Sequence, residues 1–176
     1  LYGLTTFFYS HKLKRLAIVD ILTLSFLYLL RIIAGGALID IEISNWLLSF
    51  SVFFFLFLAA VKRWIEIKNT RDSEISGRGY FTADISFISS LSYFSGLISV
   101  LVICLYIDSQ QAQLAYSSSN LFWVIPAVVL FWVLEVLLKV ERNQVDEDPV
   151  KYALKSRSSY LSVFSIVVIL WASTAA

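Results

Sequence analysis

The sequence predicts an all-α polytopic membrane bundle with five spanning helices, read as a single membrane domain over residues 1–176. Three observations predict it. Hydrophobic residues make up 59% of the chain and charged residues 15%, whereas soluble domains run at roughly 45–50% and about 25%. Apolar runs occupy 16–39, 46–61, 85–107, 121–138 and 160–171 with the small residues beyond it, set against the roughly 20 residues that a spanning helix needs. The basic residues, finally, fall in alternate loops. Membrane-barrel strands are about 10 residues long and alternate in polarity, which these runs do not.

Residues 1–10 read as the tail of a further membrane helix, followed by a basic cluster at His11, Lys12, Lys14 and Arg15. The run at 16–39 is interrupted by Asp20 and Arg31, and Asp40 and Glu42 form a short acidic turn after it. Trp46 opens the next run as an interfacial anchor. Residues 62–84 are the densest polar stretch. Lys62, Arg63, Glu66, Lys68, Arg71, Asp72, Glu74, Arg78 and Asp84 are nine of the 27 charged side chains (14 basic plus 13 acidic). The run at 85–107 carries Ser86, Ser89, Ser90, Ser92 and Ser95, with Gly96 permitting close helix contact. A polar turn at 108–120 leads to 121–138, with Pro126 as a kink and Glu135 near its end. In the second large polar loop, 139–157, Asp148-Pro149 reads as an N-cap and first position of a short helix.

Of the 14 Lys and Arg residues, 13 lie in 10–15, 62–84 and 139–157, Arg31 lies inside a span, and none lies in 40–45 or 108–120. The positive-inside rule makes the basic side cytoplasmic. The single Cys104 excludes a disulfide within the chain and a multi-cysteine metal site. The chain has no Met and reads as part of something longer. His11 is the sole histidine, and neither a P-loop, a G-x-S-x-G nor an H-E-x-x-H motif occurs. Nothing points to nucleic acid.

The functional candidates concentrate at the cytoplasmic edge. Lys62 and Glu66 share a helix face at i, i+4, either as an interfacial ion pair or, with Arg63, as a phosphate site whose carboxylate supplies hard oxygen to Mg²⁺. In SGRGY (76–80), Gly77 and Gly79 let the backbone approach an anion, and Arg78 offers bidentate contact to phosphate. Arg31 either lines a polar cavity or snorkels outward past Gly35 and Gly36. Glu135 has Lys139 four residues on, and a local ion pair explains both.

In order, YSHKLKR (9–15), LLRIIAGG (29–36), AAVKRWIEI (59–67), SGRGY with Asp84, and DPVKYALKSR (148–157) resemble the second half of a UbiA-superfamily membrane transferase. More narrowly they resemble the branch that includes decaprenyl-phosphate phosphoribosyltransferases and UbiA proteins fused to a HAD-like phosphatase. The resemblance implies a nine-helix fold of which this chain supplies the C-terminal part. It implies a diphosphate bound through Mg²⁺ on the cytoplasmic side of a bacterial inner membrane, with the lipid chain in a lateral groove. The first Asp motif would lie in helices before Leu1. Where the prenyltransferases carry a second Asp-rich motif, this chain reads Lys62-Arg63-Trp64-Ile65-Glu66. Lys14 follows Tyr9 by five residues where many relatives have four. The resemblance makes Lys62, Arg63 and Glu66 catalytic, puts Tyr9, Lys14, Arg31, Arg78 and Tyr80 on substrate phosphate, and puts Glu66 and Asp84 on metal. The implied substrate is a polyprenyl phosphate or diphosphate, with prenyl transfer as the reaction. Phosphoribosyl transfer from phosphoribosyl diphosphate (PRPP) to a polyprenyl phosphate is the alternative enzyme. A transporter or non-catalytic membrane subunit, touching membrane lipids alone, is the alternative from another class.

Overall fold

The computed structural model describes residues 16–70, 79–115, 119–145 and 148–175. The expected helix tail at 1–10 lies outside them, as do Tyr9, His11, Lys12, Lys14 and Arg78. The described chain is helical throughout, in the order α1 (Ala17–Leu38), α2 (Asn45–Asn69), a 3₁₀ turn (Thr82–Asp84), α3 (Ile85–Ile107), α4 (Gln110–Ala115), α5 (Ser119–Phe122), α6 (Val124–Glu141), α7 (Pro149–Lys155) and α8 (Arg157–Ala175).

Among the described residues three helices are long and apolar enough to cross a membrane: α1, α2 and the stretch Thr82–Ile107 that contains α3. The α7–α8 pair, bent by 75°, makes a fourth if a broken pair counts as one span. The five expected spans are therefore not all met. α6 is 18 residues long and carries Glu135, Lys139 and Glu141. Pro126, expected to kink this span, sits in the first turn of α6, where its missing N–H leaves no helical bond unmade.

α2 is the central helix, packed along α3 and α1, while α6 packs on α3 and α8. Ser44 starts α2, its hydroxyl accepting from the Leu47 N–H at 3.1 Å. α2 runs through residue 69, so Lys62, Arg63, Glu66 and Lys68 belong to a helix and not to a loop. The reason is their spacing: Trp64, Ile65 and Ile67 are interleaved with them and are buried in the core. α1 ends at Leu38, and the Gly36 carbonyl in its last turn accepts from the N–H groups of Ile39 and Ile41. Asp40 turns the chain there at φ 53°, a conformation that Asp tolerates better than most residues. Trp46 at the start of α2 and Tyr106 at the end of α3 pair at 6.1 Å, marking one edge of the bundle.

The small-residue face of α3 sets the helix spacing. Ser92, Ser95 and Ser99 are buried and satisfy their hydroxyls on carbonyls of their own helix. A Cβ on Gly96 would meet Val133 Cγ1 of α6 at 2.8 Å and Phe57 Cδ2 of α2 at 3.1 Å. Gly96→Val is therefore expected to force α6 away and to cost about 1–3 kcal/mol, the range for overpacking a close-packed interior. Thermal unfolding in detergent measures this. An unchanged midpoint would show that the seam has slack.

Candidate functional site

The basic end of the bundle holds three polar assemblies. The first is buried. Arg63 reaches across from α2 to Asp20 of α1 through two bonds, Nε to Oδ2 and Nη2 to Oδ1, the latter at 3.1 Å. Its Nη1 donates to Glu66 Oε2 at 2.5 Å. The Arg63 and Asp20 side chains are 1% and 0% exposed. The Tyr80 hydroxyl donates to the Ala17 carbonyl and stands 3.3 Å from Asp20 Oδ2. A planar guanidinium suits this fork, and the pairing meets the desolvation that a lone buried charge would suffer.

The second assembly stands at the wet edge. Lys62 pairs with Asp148, at 28% and 22% side-chain exposure. Asp148 is also the N-cap of α7, its Oδ1 accepting from the Val150 N–H at 2.9 Å, as the Asp-Pro pattern predicts. The i, i+4 pairing of Lys62 with Glu66 expected from the helix face is replaced by two others: Lys62 reaches Asp148, far along the chain, and Glu66 takes Arg63 at i, i+3.

Burial pushes the Asp148 carboxyl up, but the Lys62 ammonium, the Val150 N–H and nearby Lys151 outweigh it and hold the group below the usual carboxylate range. A depressed folded value means that the stabilisation is complete above the unfolded pKa of about 3.9 and is lost as pH falls through the folded value. Attachment of α7 is thus expected to be constant from neutral pH down to about pH 5 and to loosen below about pH 4. Proteolysis across 148–155 as a function of pH checks this. The same acid step persisting in Asp148→Asn would assign it to another group.

The third assembly joins α6 to the α7–α8 elbow. Lys139 pairs with Glu135 at 2.6 Å, as their spacing predicts, and donates to the Tyr152 hydroxyl. Ser158 donates to Glu135 Oε1 at 2.8 Å, and Ser156 links Tyr152 to Ser158. Lys68 of α2 meanwhile donates to the last carbonyls of α6, Val140 at 3.0 Å and Glu141 at 2.7 Å, where a cation suits the negative helix end.

The sequence-predicted residues are thus partly gathered. Lys62, Arg63, Glu66 and Tyr80 share one end of the bundle with Asp20 and Asp148, which sequence reasoning did not place in the site. Asp20 had a readable signal, since an acid inside an apolar run calls for a buried cation partner. Asp84 is turned to a local task, its Oδ2 accepting from the Phe81 N–H at 2.9 Å ahead of α3. Arg31 is separated from Asp20 by 11 residues of α1, about 16 Å along the axis. It lies 5.0 Å over the Tyr28 ring, which in turn stacks on Phe55. Among the described residues no group of three or more acidic, His or Cys side chains gathers to hold a metal ion.

No family model matches the chain. It is similar to three curated bacterial proteins along most of its own length. An uncharacterized protein, y4nM, of Sinorhizobium fredii is 32% identical over 160 residues, 88% of this chain and 31% of that protein. The nodulation protein NoeC of Azorhizobium caulinodans is 26% identical over 165 residues, 91% of this chain and 53% of that one. The decaprenyl-phosphate phosphoribosyltransferase of Mycolicibacterium smegmatis is 26% identical over 176 residues, 94% and 52% respectively. The chain therefore spans about a third to a half of the length of the relatives it matches.

Proposed function

We infer that this chain is part of the membrane domain of a UbiA-type transferase that moves a phosphoribosyl group onto a polyprenyl phosphate. The observation that carries this reading is the similarity, along 94% of the chain, to a decaprenyl-phosphate phosphoribosyltransferase. The Lys62-Arg63-Trp64-Ile65-Glu66 segment agrees with it, because it offers cations where a prenyltransferase would offer carboxylates. In the proposed step an oxygen of the lipid phosphate attacks ribose C1 of PRPP, the bond from C1 to the diphosphate oxygen breaks, and diphosphate leaves with the electron pair. Lys62 is assigned to the phosphate oxygens, where a cation is worth most as leaving-group charge develops.

Arg63 is assigned to positioning. Its two bonds to Asp20 and one to Glu66 fix the end of α2 that presents Lys62. Lys14 and Arg78 remain proposed phosphate contacts from outside the described residues. A magnesium ion on the diphosphate would draw ligands from beyond the described carboxylates. The positive-inside distribution supports a cytoplasmic position for this end in a bacterial inner membrane.

The test offers the full-length protein in detergent with Mg²⁺ two mixtures: labelled PRPP with a polyprenyl phosphate, and a polyprenyl diphosphate with aromatic acceptors. Labelled lipid in the first is expected. Product in the second alone would replace this reading with prenyl transfer, and silence in both would replace it with a transporter or scaffold.

A further inference from the structure

An apolar groove of 560 Å³ runs between α2, α6 and the α7–α8 elbow, walled in part by Phe50, Phe54, Leu58, Trp132, Val150 and Leu154. Phe50, Phe54 and Leu58 are spaced four residues apart on α2, and Lys62 continues the row. Residues four apart are neighbours on a helix surface, so Phe50 to Leu58 make a stripe of about 12 Å along the wall, and the Lys62 ammonium follows one step, about 6 Å, beyond it. The roof over that end is α7, which contributes Val150, Ala153 and Leu154. Two residues before Val150 in the chain, Asp148 closes the same end by pairing with Lys62.

α7 has seven residues, too few to hold a position by itself. Its first turn is tied to α2 by Lys62 and Asp148. Its middle is tied to α6 separately, through Tyr152 with Lys139, and the start of α8 just beyond it is tied there through Ser158 with Glu135. Releasing Asp148 leaves the second attachment intact, so α7 can pivot on the elbow. A cation at the mouth of an apolar channel is complementary to an anionic head on a hydrocarbon tail. The carboxylate now on Lys62 is an anionic oxygen acceptor, as such a head would be, with less charge and one oxygen fewer.

We propose that α7 is a lid and that Asp148 stands in for a lipid phosphate: an isoprenoid phosphate takes Lys62 from Asp148, the lid lifts, and the chain lies along Phe50, Phe54 and Leu58. This rests on the polyprenyl-phosphate reading given above and adds the path of the chain and the gate that admits it.

The test measures binding of a polyprenyl phosphate, the neutral polyprenol of equal length and inorganic diphosphate to the full-length protein in detergent. Wild type, Asp148→Asn, Lys62→Gln and the double variant are compared. Asparagine caps a helix as well as aspartate does, so Asp148→Asn removes the competing charge and keeps α7. It is expected to bind the polyprenyl phosphate roughly two- to fivefold tighter, the factor for deleting one partly exposed ion pair. Polyprenol binding is expected to stay level, and the double variant to behave as Lys62→Gln. Independently of any variant, polyprenyl phosphate but not polyprenol should speed amide hydrogen exchange at 149–155.

Wild type that binds the polyprenyl phosphate, with no gain in Asp148→Asn and no change in exchange, would overturn the gate and leave the proposed function standing. Wild type that does not bind it overturns both. A gain as large for inorganic diphosphate as for the lipid would overturn the lipid assignment.

Discussion

Replacing Asp20 with alanine is expected to destabilise the bundle by about 3–5 kcal/mol, the range for removing one partner of a buried ion pair. The expectation follows from burial. Asp20 is wholly inaccessible and Arg63 nearly so, so after substitution the guanidinium keeps its charge without its main counter-ion and without water. Glu66 remains on Nη1 but cannot serve Nε and Nη2 as well. Tyr80, whose hydroxyl stands beside Asp20, loses a neighbour on the same side. Arg63→Lys should lose much of this stability too, because an ammonium cannot make the fork. The pair Asp20→Leu with Arg63→Met is expected to recover most of the loss, since buried ion pairs replaced by apolar side chains of similar volume are often neutral. Equilibrium unfolding in mixed detergent decides the matter. A single Asp20→Ala variant within about 1 kcal/mol of wild type would show that water reaches Arg63, contrary to its burial.

Under the proposed function, Lys62→Gln in the full-length protein is expected to leave stability nearly unchanged and to lower the proposed phosphoribosyl transfer about 100-fold, the lower figure for deleting one preorganised electrostatic contact to developing charge. Its pair with Asp148 is partly exposed, and such pairs contribute little to folding. The split between the two readouts separates the candidate roles. A topological lysine that only obeys the charge rule at the membrane edge would leave turnover as it was. A cation on substrate phosphate would lose turnover while the unfolding midpoint stays put. Activity is read with polyprenyl phosphate and labelled PRPP, and full retention in Lys62→Gln would remove this residue from the mechanism.

The helices that read most clearly from the sequence are those whose surroundings are uniformly apolar. The run 85–107 is the observed α3 residue for residue, because a lipid-facing helix declares itself by apolarity and ends where Asp84 and Asp108 stand. α2 was harder to delimit. Charged positions alternate with core positions from Lys62 to Lys68, so composition marks a polar stretch where packing makes about two more turns of helix. The candidate site was legible in its residue types and illegible in its pairings. Lys62 finds Asp148 86 residues away and Arg63 finds Asp20 43 residues away, and no local spacing encodes either. Tyr80 illustrates the same limit: its place beside a glycine-flanked arginine suggests a ligand contact, whereas its hydroxyl faces α1.

The charges of α6 bear on the order in which the chain enters a bilayer. A segment with Glu135, Lys139 and Glu141 in its last seven residues is a weaker substrate for insertion on its own than an uncharged one, the cost of a charge being about 2.5–3.5 kcal/mol at a helix centre and less toward its end. Lys68, synthesised earlier on α2, is in place to meet the α6 carbonyls and Glu141 as they emerge. Tyr152 and Ser158, which complete the environment of Lys139 and Glu135, leave the ribosome only afterwards. In a glycosylation-mapping assay α6 alone is expected to insert poorly and to gain when α2 precedes it and α7–α8 follows; equal insertion in every context would refute this. That outcome would make biogenesis of this bundle sequential, with α6 waiting until chain on both sides can neutralise it.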